Sequence, residues 1–351
     1  MDRIQRLQKE LEKTDTDYLI IGTTSNMFYL VGFSEEQMER PLLLFVTKDD
    51  YFMLVPKLYE QQLKQLPLIV YRDGEDPYSK LNLKESSNIL IDDTTFSLFT
   101  IEILNRFRPR RIGKASAILR KLRQVKDDEE IEKMEKGVKK AEELLLEFVP
   151  NIKENITECE IERKLKSFLI GEAGYISFDP IVTSGPNSSM PHLRCSDKKI
   201  KRGEVIVIDY GIKYEGYSTD TTRVFTLGRP NDTLALEIVE IVKSANEEAE
   251  KHVREGIRAK EIDDIARKVI TDKGYGVYFI HRTGHGIGID VHEDPYISPD
   301  NDDVIEQNMV FTIEPGIYLP SKFGIRIEDE VVVKKGYGKV LNTLQKELYI
   351  L

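Results

Sequence analysis

The chain contains no tryptophan, only two cysteines and only five histidines among its 351 residues. It also lacks a long apolar run. None approaches the roughly 20 residues that cross a bilayer. The N-terminal stretch MDRIQRLQKELEK reads as an amphipathic charged helix without an apolar signal core. Neither a membrane span nor secretion is expected, and a reducing cytoplasm is the compartment anticipated. Cys159 and Cys195 do not make a disulfide framework, and they lack the Cys-x-x-Cys spacing of a zinc site. An excess of positive charge is missing as well. The net charge is −10, so a nucleic-acid backbone is an unsuitable partner. The one short basic cluster, Lys198, Lys199, Lys201 and Arg202, reads as a solvated turn before an apolar strand.

What is present is globular and rich in charge. Hydrophobic residues make up 40% and charged residues 32%, with Lys and Glu prominent, as in heat-adapted proteins. The length favours two domains. In residues 1–123, short apolar strands (Asp17–Gly22, Pro41–Val46, Tyr51–Val55, Ile89–Asp92) alternate with helical segments such as Lys57–Gln65, the pattern of a smaller α/β domain. No ligand cluster or glycine loop marks it, so its expected role is structural or oligomeric. A Glu/Lys-rich helical run covers Ala117–Phe148, and the junction is expected near Arg123–Lys126. In residues 124–351, helices at 128–148 and 157–173 precede the strand Glu204–Asp209 and its hairpin partner within Gly216–Leu227. Helices at 233–255 and 259–273 precede strands at Met309–Glu314, Gly324–Val333 and Glu347–Leu351. This half is α+β.

The chemistry-bearing residues sit where apolar strands stop. Val205–Ile208 is four β-branched residues ending in Asp209, a carboxylate that is costly to bury without a partner. Asp220 lies eleven residues further on, within reach across a hairpin, with threonine hydroxyls on both sides to orient it. Glu314 closes Val310–Ile313 and is followed by Pro315-Gly316. In Gly324–Asp329, strand alternation puts Arg326 and Glu328 on one face. Three of the five histidines, His281, His285 and His292, fall in HRTGHGIGIDVHE, where glycines flank His285 and let backbone approach. His252, inside a charged helix, reads as a surface residue. Four carboxylates and one imidazole suit Mn, Co, Zn or Fe better than a thiolate-seeking ion, and five ligands suffice for a pair of ions.

These motifs resemble the pita-bread metallopeptidases, the family of methionine aminopeptidase, aminopeptidase P and prolidase. The family's order Asp, Asp, His, Glu, Glu falls on Asp209 (VIDYG), Asp220 (STDTTR), His285 (GHGIG), Glu314 (TIEPG) and Glu328 (GIRIEDE). His192 (MPH), His281, His292 and Arg326, with the extra N-terminal domain, resemble the proline-specific branch. The resemblance implies a pita-bread catalytic domain behind a creatinase-like N-terminal domain, and two divalent ions (Mn, Co or Zn) on those five ligands. It implies cleavage of the Xaa-Pro bond, in dipeptides as by prolidase or in longer peptides as by aminopeptidase P, and a homodimer. Glu314 would assist proton movement, His192 and His292 would contact the substrate carbonyl, and His281 and Arg326 would shape the proline pocket or pair with the substrate carboxylate. A silent binding protein on the same fold is the alternative from another class, and the complete ligand set argues against it.

Overall fold

Tyr18–Ile21 and Leu43–Val46 are apolar at nearly every position, the signature of strands covered on both faces. In the computed structural model, which describes residues 2–351, they are the centre of a six-stranded sheet. Its order is Leu68–Tyr71, Tyr51–Pro56, Leu43–Val46, Tyr18–Ile21, Asn88–Ile91, Arg111–Lys114. The sheet is mixed: the Leu43–Val46 strand runs antiparallel to both neighbours, and the other three pairings are parallel. Ile20, Phe45, Leu54, Phe99 and Ile103 form its core. The chain divides into two units between Arg123 and Gln124, and this sheet belongs to the first.

One helix of the sequence reading is absent. Lys57–Gln65 forms only a 3-10 turn at Lys57–Tyr59 followed by turns. Ten residues between Pro56 and Pro67 are too few to make a helix persist without a buried face, and only Leu63 of this segment is buried. The helical run Ala117–Phe148 is likewise two helices, Ser116–Gln124 and Asp128–Phe148. The second starts afresh at a capping box, in which Asp127 accepts from the Glu130 backbone and Glu130 from that of Asp127.

The second unit is built on two sheets, each backed by a helix pair. Ile181–Ser184, Val205–Tyr210, Thr221–Thr226 and Tyr349–Ile350 make one. It packs against Asp128–Phe148 and Glu158–Ala173 through Leu144, Leu165, Ile206 and Phe225. The other runs Glu293–Ile297, Gly284–Gly286, Val310–Ile313, Asp329–Lys334, Tyr337–Val340. Leu234–His252 and Ala259–Asp272 pack with it through Ile238, Val242, Ile262 and Phe311. The expected strand Gly324–Val333 is broken. Phe323–Arg326 pairs with Gly316–Leu319, and Asp329–Lys334 pairs with Val310–Ile313. Between them Glu328 bridges to Thr222 of the first sheet. The break is where the two sheets exchange backbone bonds, and it carries a site residue.

The two cysteines make no framework but form one bridge, which the expectation of a reducing compartment did not anticipate. Cys159, in the first turn of the Glu158–Ala173 helix, is linked to Cys195 in the segment that follows His192. The surroundings hold the same two segments together without the sulfurs. Glu158, fully buried, accepts from the Ser184 backbone and hydroxyl, from Asn187 and from Ser196, and the Cys159 N–H donates to the Ser196 carbonyl. Intracellular proteins of hyperthermophiles keep such links, as exported proteins do. Closing a loop of 36 residues restricts the unfolded chain by roughly 3–4 kcal/mol. Protein purified without reductant is expected to show no free thiol under denaturing conditions, and Cys195→Ser to lower the melting temperature; one or more titratable thiols per chain would contradict the pairing.

Candidate metal centre and its pocket

All nine residues singled out from the sequence line one cavity of about 450 Å³. The Val205–Tyr210 and Thr221–Thr226 strands pair so that Asp209 stands opposite Thr222, two residues past Asp220. His285 comes from the middle of the Gly284–Gly286 strand. Glu314 follows Val310–Ile313, and Glu328 sits in the strand break. Glycine on each side of His285 is a steric requirement. A Cβ on Gly284 would lie 1.8 Å from the Thr312 carbonyl oxygen, and one on Gly286 would lie 2.2 Å from that of Asp294.

The ligand atoms converge. His285 Nε2 is 3.6 Å from both Asp220 Oδ2 and Glu314 Oε1, and single donor atoms of Asp220, His285 and Glu328 lie within 4.8 Å of one another. His285 Nδ1 is 3.1 Å from the Gly286 carbonyl, which fixes the proton there and leaves Nε2 as the lone-pair nitrogen facing the carboxylates. Burial, reinforced by His292, pushes the His285 pKa down to about 3, so the ring is neutral. Burial, with the neighbouring carboxylates, holds Asp220 and Glu328 well above the usual carboxylate range, and burial pushes Glu314 up to about 7. Asp209 Oδ1 and Asp220 Oδ1 are buried and accept no hydrogen bond. Oxygen-rich donors with one neutral imidazole, mutual repulsion and two unmet buried oxygens fit divalent cations.

The surrounding residues aim these ligands. Thr222 Oγ1 donates to Glu328 Oε2 at 2.6 Å. The hydroxyls beside Asp220 were expected to orient it, but Thr219 Oγ1 accepts from Ile212, Thr221 Oγ1 accepts from Asn342, and the Asp220 N–H donates to Glu330. Arg326 is fully engaged: Nε donates to Thr222, one terminal nitrogen to Tyr318 Oη and the other to Asp209 Oδ2 at 2.5 Å. The arginine expected to meet a substrate carboxylate is thus the counter-charge of Asp209. His281 Nε2 is 2.8 Å from Tyr318 Oη, and burial, then Arg326, lowers the His281 pKa to about 3. His192 and His292 are exposed on the pocket wall. His252 lies against the Glu248 carbonyl of its own helix, as a surface residue would.

Sequence reasoning missed Tyr318, Thr222 and Arg282. Only Arg282, beside His281 in HRTGH, carried a signal, its nearness to a motif. Missed too were the supports behind the strands. Asp263, fully buried, accepts the Thr283 N–H and hydroxyl. Arg267 grips Asp263 with two nitrogens and donates to the Phe279 and His281 carbonyls. Asn246 donates to the Ile313 carbonyl just before Glu314. Arg223, with no exposed surface, donates to the Glu328 carbonyl and to Asp329, which Lys346 also meets.

Comparison with known proteins gives the family. Residues 132–335 match the model of metallopeptidase family M24, and residues 3–125 match the creatinase/prolidase N-terminal domain. The chain belongs to metallopeptidase family M24, with the pita-bread catalytic fold and a creatinase-type N-terminal domain, and it is a hydrolase of that class. It is 34% identical to the Xaa-Pro dipeptidase of Pyrococcus furiosus, over 99% of both chains. Among solved structures it is similar to a prolidase from Thermococcus sibiricus (38% identity, TM-score 0.94, all of both chains). It is also similar to an X-Pro aminopeptidase from Thermotoga maritima (35% identity, TM-score 0.87, all of both chains).

Removing Arg223 leaves Asp329 buried with one cation fewer and the Glu328 carbonyl without its donor. Arg223→Met is expected to cost about 3–5 kcal/mol, as breaking buried pairs does. Chemical denaturation checks this, and Arg223→Met with Asp329→Asn should lose less than the two single variants combined.

Proposed function

We propose that this chain hydrolyses the Xaa-Pro bond of dipeptides with two divalent ions, Mn, Co or Zn, held by Asp209, Asp220, His285, Glu314 and Glu328. The observation that carries the reading is the convergence of four carboxylates and a neutral imidazole, with two buried carboxylate oxygens left unmet, on one cavity. The ions, when bound, make a water acidic enough to attack at neutral pH and polarise the scissile carbonyl.

The chain's own residues do the rest. Asp209, Asp220, His285, Glu314 and Glu328 would hold the ions, with the carboxylates supplying the negative charge that offsets them and His285 a neutral nitrogen donor. Glu314 takes the proton of the attacking water. His192 and His292, on the exposed wall, donate to the carbonyl oxygen as charge develops there, and one returns a proton to the proline nitrogen. His281, held against Tyr318, borders the proline ring, and Phe178 and Ile181 supply apolar wall. Arg326 holds Asp209 in place. The family resemblance adds a homodimer and a cytoplasmic location, readable by sedimentation and by fractionation of the source cells.

The likeness to the X-Pro aminopeptidase of Thermotoga maritima supports a second reading, removal of the residue before proline from longer peptides. Xaa-Pro and Xaa-Pro-Yaa peptides assayed side by side with Mn, Co and Zn separate the two. Asp209→Asn is expected to abolish hydrolysis and lower the bound-metal content; full activity with two ions per chain would end the ligand assignment. His192→Ala should lower kcat by roughly 10²–10³ while metal content stays unchanged. A change in metal content alone would remove His192 from the carbonyl.

A further inference from the structure

Three arginines line the cavity: Arg194, Arg282 and Arg326. Arg326 has every nitrogen committed, to Asp209, Thr222 and Tyr318. Arg194 is exposed and reaches the Asp179 carbonyl. Arg282 differs from both. It is half-buried, it is in no ion pair among the described residues, and its guanidinium lies over the Tyr296 ring at 4.1 Å. Stacking on an aromatic face holds the guanidinium plane while leaving its edge of N–H donors available.

The backbone that carries Arg282 is fixed on both sides. The preceding His281 carbonyl accepts from Arg267, and the following Thr283 N–H donates to Asp263 as well as to the Ile297 carbonyl. The Arg282 carbonyl lies 2.7 Å from His281 Nδ1. Tyr296 is set opposite His285 in the strand register, so the ring beneath the guanidinium is tied to the strand that bears a ligand. A long, flexible cation is thereby given one position on the wall of the cavity, beside His281 and His292.

We propose that Arg282, and not Arg326, receives the C-terminal carboxylate of the substrate and so selects peptides that end at proline; this rests on the Xaa-Pro reading above. The charge balance agrees. Two divalent ions and Arg326 offset four ligand carboxylates with one positive charge to spare, which a water-derived nucleophile cancels. Arg282 and the exposed Arg194 then stand without a carboxylate partner; of the two, Arg282 is the one half-buried and stacked on a ring, and a free carboxylate is what it can pair with bidentately. In a dipeptide that carboxylate directly follows the proline ring. In a longer peptide an amide occupies the place.

The test compares an Xaa-Pro dipeptide with its C-terminal amide on metal-loaded enzyme. Arg282→Gln is expected to raise KM for the dipeptide roughly 10–100-fold, the worth of a hydrogen bond to a charged group. KM for the amide, kcat on both substrates and metal content should stay near wild type, and Arg282→Lys should fall between. Equal changes on acid and amide, or none on either, would overturn the assignment. Calorimetry with proline and prolinamide reads the same contact without turnover. Wild-type enzyme should prefer proline and Arg282→Gln should lose that preference. No preference in the wild type overturns the role of Arg282 even if Xaa-Pro bonds are cut. A proline preference in a protein that cuts no Xaa-Pro bond overturns the hydrolytic reading alone.

Discussion

Four carboxylates brought together in a nearly dry cavity are what the second unit is organised around. Asp209, Asp220 and Glu328 are each less than a tenth exposed, and like charges at that depth repel strongly. Left alone, Asp220, Glu314 and Glu328 would take up protons, which is the direction in which each is displaced. The arrangement persists because each of these residues is also positioned through its backbone. Each is part of, or adjacent to, a strand whose backbone is bonded to a second element, and the Glu328 bridge to Thr222 joins the two sheets at the site itself.

The supporting residues follow a common plan. The helices behind the five-stranded sheet send polar side chains forward to a backbone carbonyl or N–H next to a site residue. Asn246 does so for Glu314, Asp263 and Arg267 for His281 and Thr283, and Arg223, from a strand, for Glu328. Buried ionic groups of this sort add little net stability, since their desolvation offsets most of the attraction. What they supply is geometry. The Glu314 N–H donates to the Thr283 carbonyl at 2.7 Å, so the Asp263 clamp on Thr283 also reaches a ligand.

The five proposed ligands stood out in the sequence because each breaks a local rule. A charge that ends an apolar strand, or a histidine between two glycines, is a local anomaly that needs no partner to be noticed. The α/β and α+β textures were legible for the same reason, since periodicity is local. What was not legible depends on residues far apart. Thr222 meets Glu328 across 106 positions and Arg326 meets Asp209 across 117. Neither pairing leaves a mark in the spacing of the chain. Cys159 and Cys195 were read only as too few for a disulfide framework, because composition counts cysteines without placing them, whereas the buried Glu158 network brings their two segments together. The Gly324–Val333 strand was read as continuous because its alternation is unbroken; the break comes from the partner sheet, which draws Glu328 away from its own.

The reassignment of Arg326 shows how a site divides its cations. An arginine that neutralises a ligand must be dry and fully bonded, because any unused donor at that depth would be costly. An arginine that meets an incoming anion must keep donors free, which is tolerable only where water can satisfy them between turnovers. Arg326, 5% exposed with all three nitrogens bonded, meets the first condition. Arg282, half-buried on the face of Tyr296, meets the second. Sequence alternation put Arg326 and Glu328 on one face; both line the cavity, but Arg326 is engaged by Asp209, Thr222 and Tyr318. The residue free to recognise substrate is the one held a step further from the ligands by the clamped backbone between His281 and Thr283.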